Sequence, residues 1–132
     1  MQNRRSLLKN FLSLPLLFGF QQQSQALPVQ KKTVLINRFS IAGFQYYDGQ
    51  SCLKEIKQND VLLLSEEPDN QYDKYAVEVS FQSKKLGYVP RTDNKHISRI
   101  LQSGGKLTVK VDEIDSEKYA WDAVRVLVYM EV

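Results

Sequence analysis

The chain has 132 residues, 42% of them hydrophobic and 25% charged, which is enough for one domain with a buried core and too few for two ordinary ones. Its formal net charge of +3 resides in Arg4, Arg5 and Lys9 of an acid-free stretch, residues 1–26, while residues 27–132 carry 15 basic and 15 acidic side chains. The neutral remainder gives no support for non-specific, charge-driven binding to phosphate. One cysteine, Cys52, and one histidine, His96, exclude an intramolecular disulfide and a zinc ligand set.

Residues 1–26 have the three-part build of a secretory signal peptide. A basic start, Arg4-Arg5-Ser6-Leu7-Leu8-Lys9, precedes an apolar run from Phe11 to Phe20 broken by Pro15; a polar stretch then ends in small residues, Ser24 and Ala26, at the cleavage positions. The apolar run is far shorter than the roughly 20 residues that span a bilayer, so it reads as a removable leader with no stable membrane insertion once removed. The adjacent arginines resemble the twin-arginine export motif. Export to the periplasm or the exterior is the expectation, with a cytoplasmic location as the alternative if the leader is not used. Residues 27–32 read as a linker.

Beyond the linker, Thr33 to Ala42 is rich in β-branched and aromatic residues and predicts a first strand. Gly43 to Gly49 is a turn-bearing loop with Tyr46 and Tyr47, and Leu53 to Lys57 has room for one helical turn at most. Asp60 to Ser65 is a short apolar run that predicts a strand buried on both faces. The organising turn, Glu67 to Tyr75, follows. Ala76 to Phe81 alternates as a half-buried strand and joins Leu86 to Val89 in a hairpin through Gln82 to Lys84. Pro90 ends that strand, and Thr92 or Asp93 is the expected N-cap of a helix over Asn94 to Gln102, closed by Ser103-Gly104-Gly105. Leu107 to Ile114 and Ala120 to Val132 complete the chain as two long strands. The pattern predicts a mainly β fold with one or two short helices, a small OB-like partly closed β-barrel of about six strands.

Loops that carry aromatic and acidic side chains between strands are where small β-domains keep their binding chemistry, because a rigid sheet fixes the loop ends. Tyr46 and Tyr72 are open to a binding role and to packing on the barrel rim, and composition alone favours packing. Asp73 is open to a ligand role and to an Asx-type turn, two duties that can coexist. From Lys84 to Lys110 seven basic residues face the single acid Asp93, which admits a local basic face or an ordinary solvated surface. His96 is expected to be exposed, Cys52 partly buried near a loop, and Trp121 a packing residue. There is no Ser/His/Asp set, no phosphate-cradling glycine loop and no metal or cofactor motif, so an enzyme is not expected.

Three motifs occur in order: Phe39-Ser-Ile-Ala-Gly-Phe-Gln-Tyr-Tyr-Asp-Gly, Glu67-Pro-Asp-Asn-Gln-Tyr-Asp-Lys-Tyr-Ala-Val and Leu86-Gly-Tyr-Val-Pro-Arg. Together they resemble the HIRAN domain over residues 33–132. The resemblance implies an OB-like barrel whose eukaryotic members capture the 3′ end of single-stranded DNA. By motif position it implies that Tyr46 stacks on a terminal base and that Tyr72 and Asp73 line the pocket, Asp73 accepting a hydrogen bond from the 3′ hydroxyl. Asn70 would support that turn, and Tyr88 and Arg91, with nearby Lys95, would face the phosphate backbone. A tyrosine face offers about 1–3 kcal/mol of stacking per base whatever the sequence. Gln45 departs from the basic residue carried by the human-type motif, which lowers the expected affinity. The expected partner is thus single-stranded DNA or its 3′ end. The alternative is an exported interaction domain that uses the same pocket for a non-nucleic-acid ligand.

Overall fold

The computed structural model describes residues 31–115, 117 and 122–132. The leader, most of the linker, Ala120 and Trp121 lie outside the described residues. Six strands form one antiparallel sheet: β1 (Thr33–Ser40), β2 (Val61–Glu66), β3 (Val77–Phe81), β4 (Lys84–Tyr88), β5 (Leu107–Ile114) and β6 (Val124–Glu131). Their spatial order is β1-β6-β5-β2-β3-β4. Two helices accompany them, α1 (Gly49–Cys52) and α2 (Arg91–Gln102), with a 3-10 turn at Phe44–Tyr46.

Register explains why this sequence closes on one core. Phe39 pairs with Val126 and Val126 with Val111, while Leu62 pairs with Val109 and Val109 with Val128. Each row places apolar side chains, most of them β-branched, side by side on the inner face, where cross-strand packing stabilises a sheet. All six are buried in the same core, together with Phe44, Cys52, Leu86 and Ile97. Ile97 belongs to α2, which packs against β2 and β3.

The outer strands β1 and β4 meet at one point. Just past β1, Ala42 forms an isolated antiparallel bridge with Tyr88, donating to its carbonyl at 2.8 Å and accepting from its amide at 2.9 Å. The sheet is thereby curled into a partly open OB-like barrel, as the strand pattern predicts. Gly87 permits the approach: at φ +153° it takes a backbone conformation that side chains rarely adopt, and a Cβ there would lie 2.3 Å from the Ala42 carbonyl oxygen.

Four local expectations are corrected. The Asp60–Ser65 run is not buried on both faces, because Leu62 is 2% exposed while Leu63 is 62% exposed; β2 has a core on one side only. Neither Thr92 nor Asp93 caps α2. The helix begins directly after Pro90, whose carbonyl accepts the Asp93 amide at 2.9 Å, and proline's fixed φ suits a helix start. The Asp93 carboxylate instead accepts from Asn37 Nδ2 at 3.1 Å, and Asn37 Oδ1 lies 2.8 Å from His96 Nε2, tying β1 to α2. The helical turn expected at Leu53–Lys57 forms earlier, at Gly49–Cys52, and Cys52 is fully buried, which pushes its thiol up from the usual cysteine range. His96 is exposed, as expected.

Candidate functional site

Three segments converge where β1 and β4 meet. The first is the loop after β1. Gly43, in the left-handed region at φ +72°, starts the 3-10 turn, and Tyr46 donates its amide to the Gly43 carbonyl at 2.9 Å. Phe44 is fully buried and its ring lies against Gly49, where any Cβ would sit 2.3 Å from a ring carbon. This anchor leaves Tyr46 projecting from the surface, 77% exposed, with Tyr47 beside it.

The second segment is the turn between β2 and β3, locked largely by its own side chains. Asn70 Oδ1 accepts the amides of Tyr72 at 2.9 Å and Asp73 at 3.1 Å, and Asp73 Oδ1 accepts the amide of Tyr75 at 2.9 Å. These are Asx-type bonds, in which a short polar side chain stands in for backbone. They hold Tyr72 outward at 88% exposure and leave Asp73 Oδ2 directed across to α2. There it accepts from Asn94 Nδ2 at 2.7 Å and lies 3.7 Å from Arg91 Nε.

The third segment joins β4 to α2 and brings Tyr88, Val89, Arg91 and Asn94. Tyr88 Oη donates to Glu67 Oε1 at 2.9 Å and accepts from Lys85 Nζ at 2.7 Å, while Asn70 Nδ2 donates to the same Glu67 oxygen at 3.0 Å. Lys85 Nζ lies 4.2 Å from the Tyr47 ring centre and 4.5 Å from that of Tyr88, and the two rings meet edge to face at 5.8 Å. Burial pushes the Tyr88 phenol up, and its bond to Glu67 adds to this against the opposing Lys85 charge. Burial alone would raise the Glu67 carboxyl, but bonds from Asn70 and Tyr88 and the Lys85 charge hold it below the usual range. The Tyr88 hydroxyl thus links the Lys85 ammonium to the Glu67 carboxylate in one hydrogen-bonded chain, which staples the second loop to β4.

The three segments enclose a cleft of about 660 Å³, lined among others by Tyr46, Asn70, Tyr72, Asp73, Tyr88 and Arg91. Six of the seven residues singled out from sequence are thus brought together. Lys95 is not among the lining residues; its Nζ lies 5.6 Å from the ring centre of Tyr75, further along α2. Gln45 does not line the cleft either, and its Oε1 is buried without a hydrogen-bond partner among the described residues. Sequence reasoning missed Tyr47 and Asn94, which do line it. Tyr47 was legible as the second of two adjacent loop tyrosines. Asn94 becomes legible once α2 starts at Arg91, because positions three apart share a helix face; Asn94 is only 4% exposed.

Chemically, the cleft offers exposed aromatic faces, one carboxylate with free acceptor capacity, one guanidinium and the first turn of a helix, whose amides favour negative charge. Among the described residues no cluster of His, Cys, Asp and Glu can hold a metal ion, and no helix is long and apolar enough to cross a membrane.

The model of the HIRAN domain matches residues 37–132 of this chain. A crystal structure of a protein from Lactobacillus plantarum superposes with a TM-score of 0.68 at 25% identity, covering 77% of this chain and 98% of that one. The crystal structure of the HIRAN domain of human HLTF superposes with a TM-score of 0.54 at 21% identity, covering 75% and 77%. No curated protein matches.

Proposed function

The chain belongs to the HIRAN domain family, which supports a nucleic-acid-binding module, and from that premise we propose that its cleft captures the 3′ end of single-stranded DNA. The observation that carries the reading is that Tyr46 and Asp73, from two separate loops, line one cleft together with Arg91. An open tyrosine face stacks on a terminal base without regard to its identity. Asp73 uses Oδ1 on the Tyr75 amide and Oδ2 on Asn94, and each carboxylate oxygen has a second lone pair for a hydroxyl donor. A carboxylate repels phosphate and accepts from a hydroxyl, which is a physical reason to prefer a free 3′ end to an internal linkage. Arg91 and the first turn of α2 then hold the adjoining phosphate.

Anisotropy titrations of a labelled oligonucleotide ending in a 3′ hydroxyl, against the same oligonucleotide ending in a 3′ phosphate, test this. The free hydroxyl should bind at least tenfold tighter, in line with the roughly 1.5–3 kcal/mol of a hydrogen bond to a charged group. Asp73→Asn should shrink that preference, and Tyr46→Ala should weaken both ligands without loss of stability, since its side chain is exposed. Equal affinity for the two ends, or no binding at low salt, would reject the proposal and favour a non-nucleic-acid ligand. The export reading of residues 1–26 is part of the same proposal, tested by sequencing the N-terminus of the mature protein from fractionated cells.

A further inference from the structure

The basic residues of α2 are not all spent on the cleft. Arg91, Lys95 and Arg99 recur every fourth residue, so they form one stripe along the helix, spanning roughly 12 Å. Arg91 lines the cleft. Further along, Lys95 Nζ and Arg99 Cζ lie 5.6 and 5.8 Å from the ring centre of Tyr75, and Lys74 Nζ approaches the same ring to 5.2 Å from the β2–β3 turn. Lys74, Lys95 and Arg99 are exposed, and none of the ion pairs among the described residues involves them. Burial would raise the Tyr75 phenol, yet the Lys74 charge, a hydrogen bond from Arg99 and the Lys95 charge outweigh it and hold it below the usual range, a mark of positive local potential.

Three unneutralised cations gathered on one ring repel each other, which costs stability unless an anion completes them. The domain as a whole carries equal numbers of acids and bases, so this concentration is local. Building on the end-capture reading above, we propose that Lys74, Tyr75, Lys95 and Arg99 form a second subsite that binds the phosphates of the captured strand upstream of its 3′-terminal nucleotides. Continuity decides the occupant: Arg91 belongs both to the cleft and to the stripe, and each further turn of α2 presents the next cation about 6 Å on. A strand whose end lies in the cleft can run from one to the other. The ligand is therefore a single strand several nucleotides long, and the terminal nucleotides alone use only half of the surface.

The experiment compares dT3 and dT10, both with a 3′ hydroxyl and a 5′ fluorophore, on the full chain and on the triple variant Lys74→Ala, Lys95→Ala, Arg99→Ala. Wild-type protein should bind dT10 more tightly than dT3. The triple variant should lose about tenfold affinity for dT10 and little for dT3, and its logarithmic salt slope for dT10 should become shallower by about 2, at roughly 0.7 for each phosphate no longer neutralised. Tyr46→Ala, by contrast, should weaken both oligonucleotides. Unchanged dT10 affinity and slope in the triple variant, with binding still dependent on the 3′ hydroxyl, would overturn the second subsite and leave the cleft reading standing. An equal loss on dT3 and dT10 would also overturn it, because the cations would then act on the cleft itself. Absence of wild-type binding to either oligonucleotide would remove both readings. If phosphatidylcholine vesicles with phosphatidylserine bound through the three cations while dT10 affinity stayed the same, the surface would face lipid and the inference would fall.

Discussion

Replacing Gly87 with alanine should open the barrel where its two outer strands meet. The added Cβ would lie 2.3 Å from the Ala42 carbonyl oxygen and 2.8 Å from Ile41 Cγ2, on a residue already at φ +153°. Neither neighbour can withdraw freely: Ile41 is buried, and Ala42 exchanges two hydrogen bonds with Tyr88. Holding a side chain in such backbone territory costs about 1–3 kcal/mol. Relieving the clash by parting the strands gives up two backbone hydrogen bonds, about 1 kcal/mol each. The expected loss is therefore about 3 kcal/mol, which for a domain of this size lowers Tm by about 15 °C. Gly104→Ala is the control. Gly104 is also at positive φ, +87°, but nothing lies within 4 Å of its Cβ position, so that variant carries the backbone strain without the clash and should lose about 1 kcal/mol. Urea and thermal unfolding followed by circular dichroism give both values. If Gly87→Ala is no less stable than Gly104→Ala, contact between Ala42 and Gly87 does not govern closure, and the placement of Tyr88 in the cleft needs another cause.

Leu62→Ala should cost about 2–5 kcal/mol, whereas Leu63→Lys should change stability by no more than about 0.5 kcal/mol; similar urea midpoints for the two would contradict a one-faced β2. The Gln82-Ser83 turn holds both residues at positive φ, 48° and 68°, so the double change Gln82→Asn, Ser83→Gly should raise stability by about 1 kcal/mol, read as a higher Tm. Burial pushes the Glu78 carboxyl up, and the Glu67 charge adds to this against Lys85. The stability linked to Glu78 is therefore complete below the ordinary carboxylate value and lost as pH rises through the higher folded value. Glu67, held low in the fold, contributes the opposite way: its stability is present above the ordinary value and lost as pH falls through the lowered one. Glu78→Gln should accordingly raise the urea midpoint at pH 7 and flatten the wild-type gain as pH falls toward the ordinary carboxylate value. Glu67→Gln should lower the midpoint at pH 7, because Tyr88 and Asn70 lose a charged acceptor. A midpoint unmoved by either change would show that the carboxyl pair does not act in the folded state.

The six strands and the long helix were legible because each rests on local patterns. Alternation in Ala76–Phe81 and the valines of the last strand mark a buried face whatever they pack against, and Pro90 and Gly104-Gly105 bracket α2 through backbone constraints alone. Boundaries that depend on partners were not. Leu62 and Leu63 are the same residue type, and only the pairing of β2 with β5 and β3 decides which of them meets the core. Asp93 looks like a helix cap in isolation, but an Asn37 56 positions away claims its carboxylate.

The candidate site divides in the same way. The residue types suited to stacking, hydroxyl recognition and phosphate contact are written in three short motifs, because the turns that carry Tyr46, Asn70 and Asp73 are shaped by their own glycines and Asx bonds. That the three motifs share one cleft was settled by the Ala42–Tyr88 bridge and by the Tyr88–Glu67 hydrogen bond, contacts between residues 46 and 21 positions apart that no local pattern encodes. The grouping of Lys74 with Lys95 and Arg99 around Tyr75 has the same origin. Local chemistry is a property of the chain, whereas the convergence of loops requires the sheet to curl first.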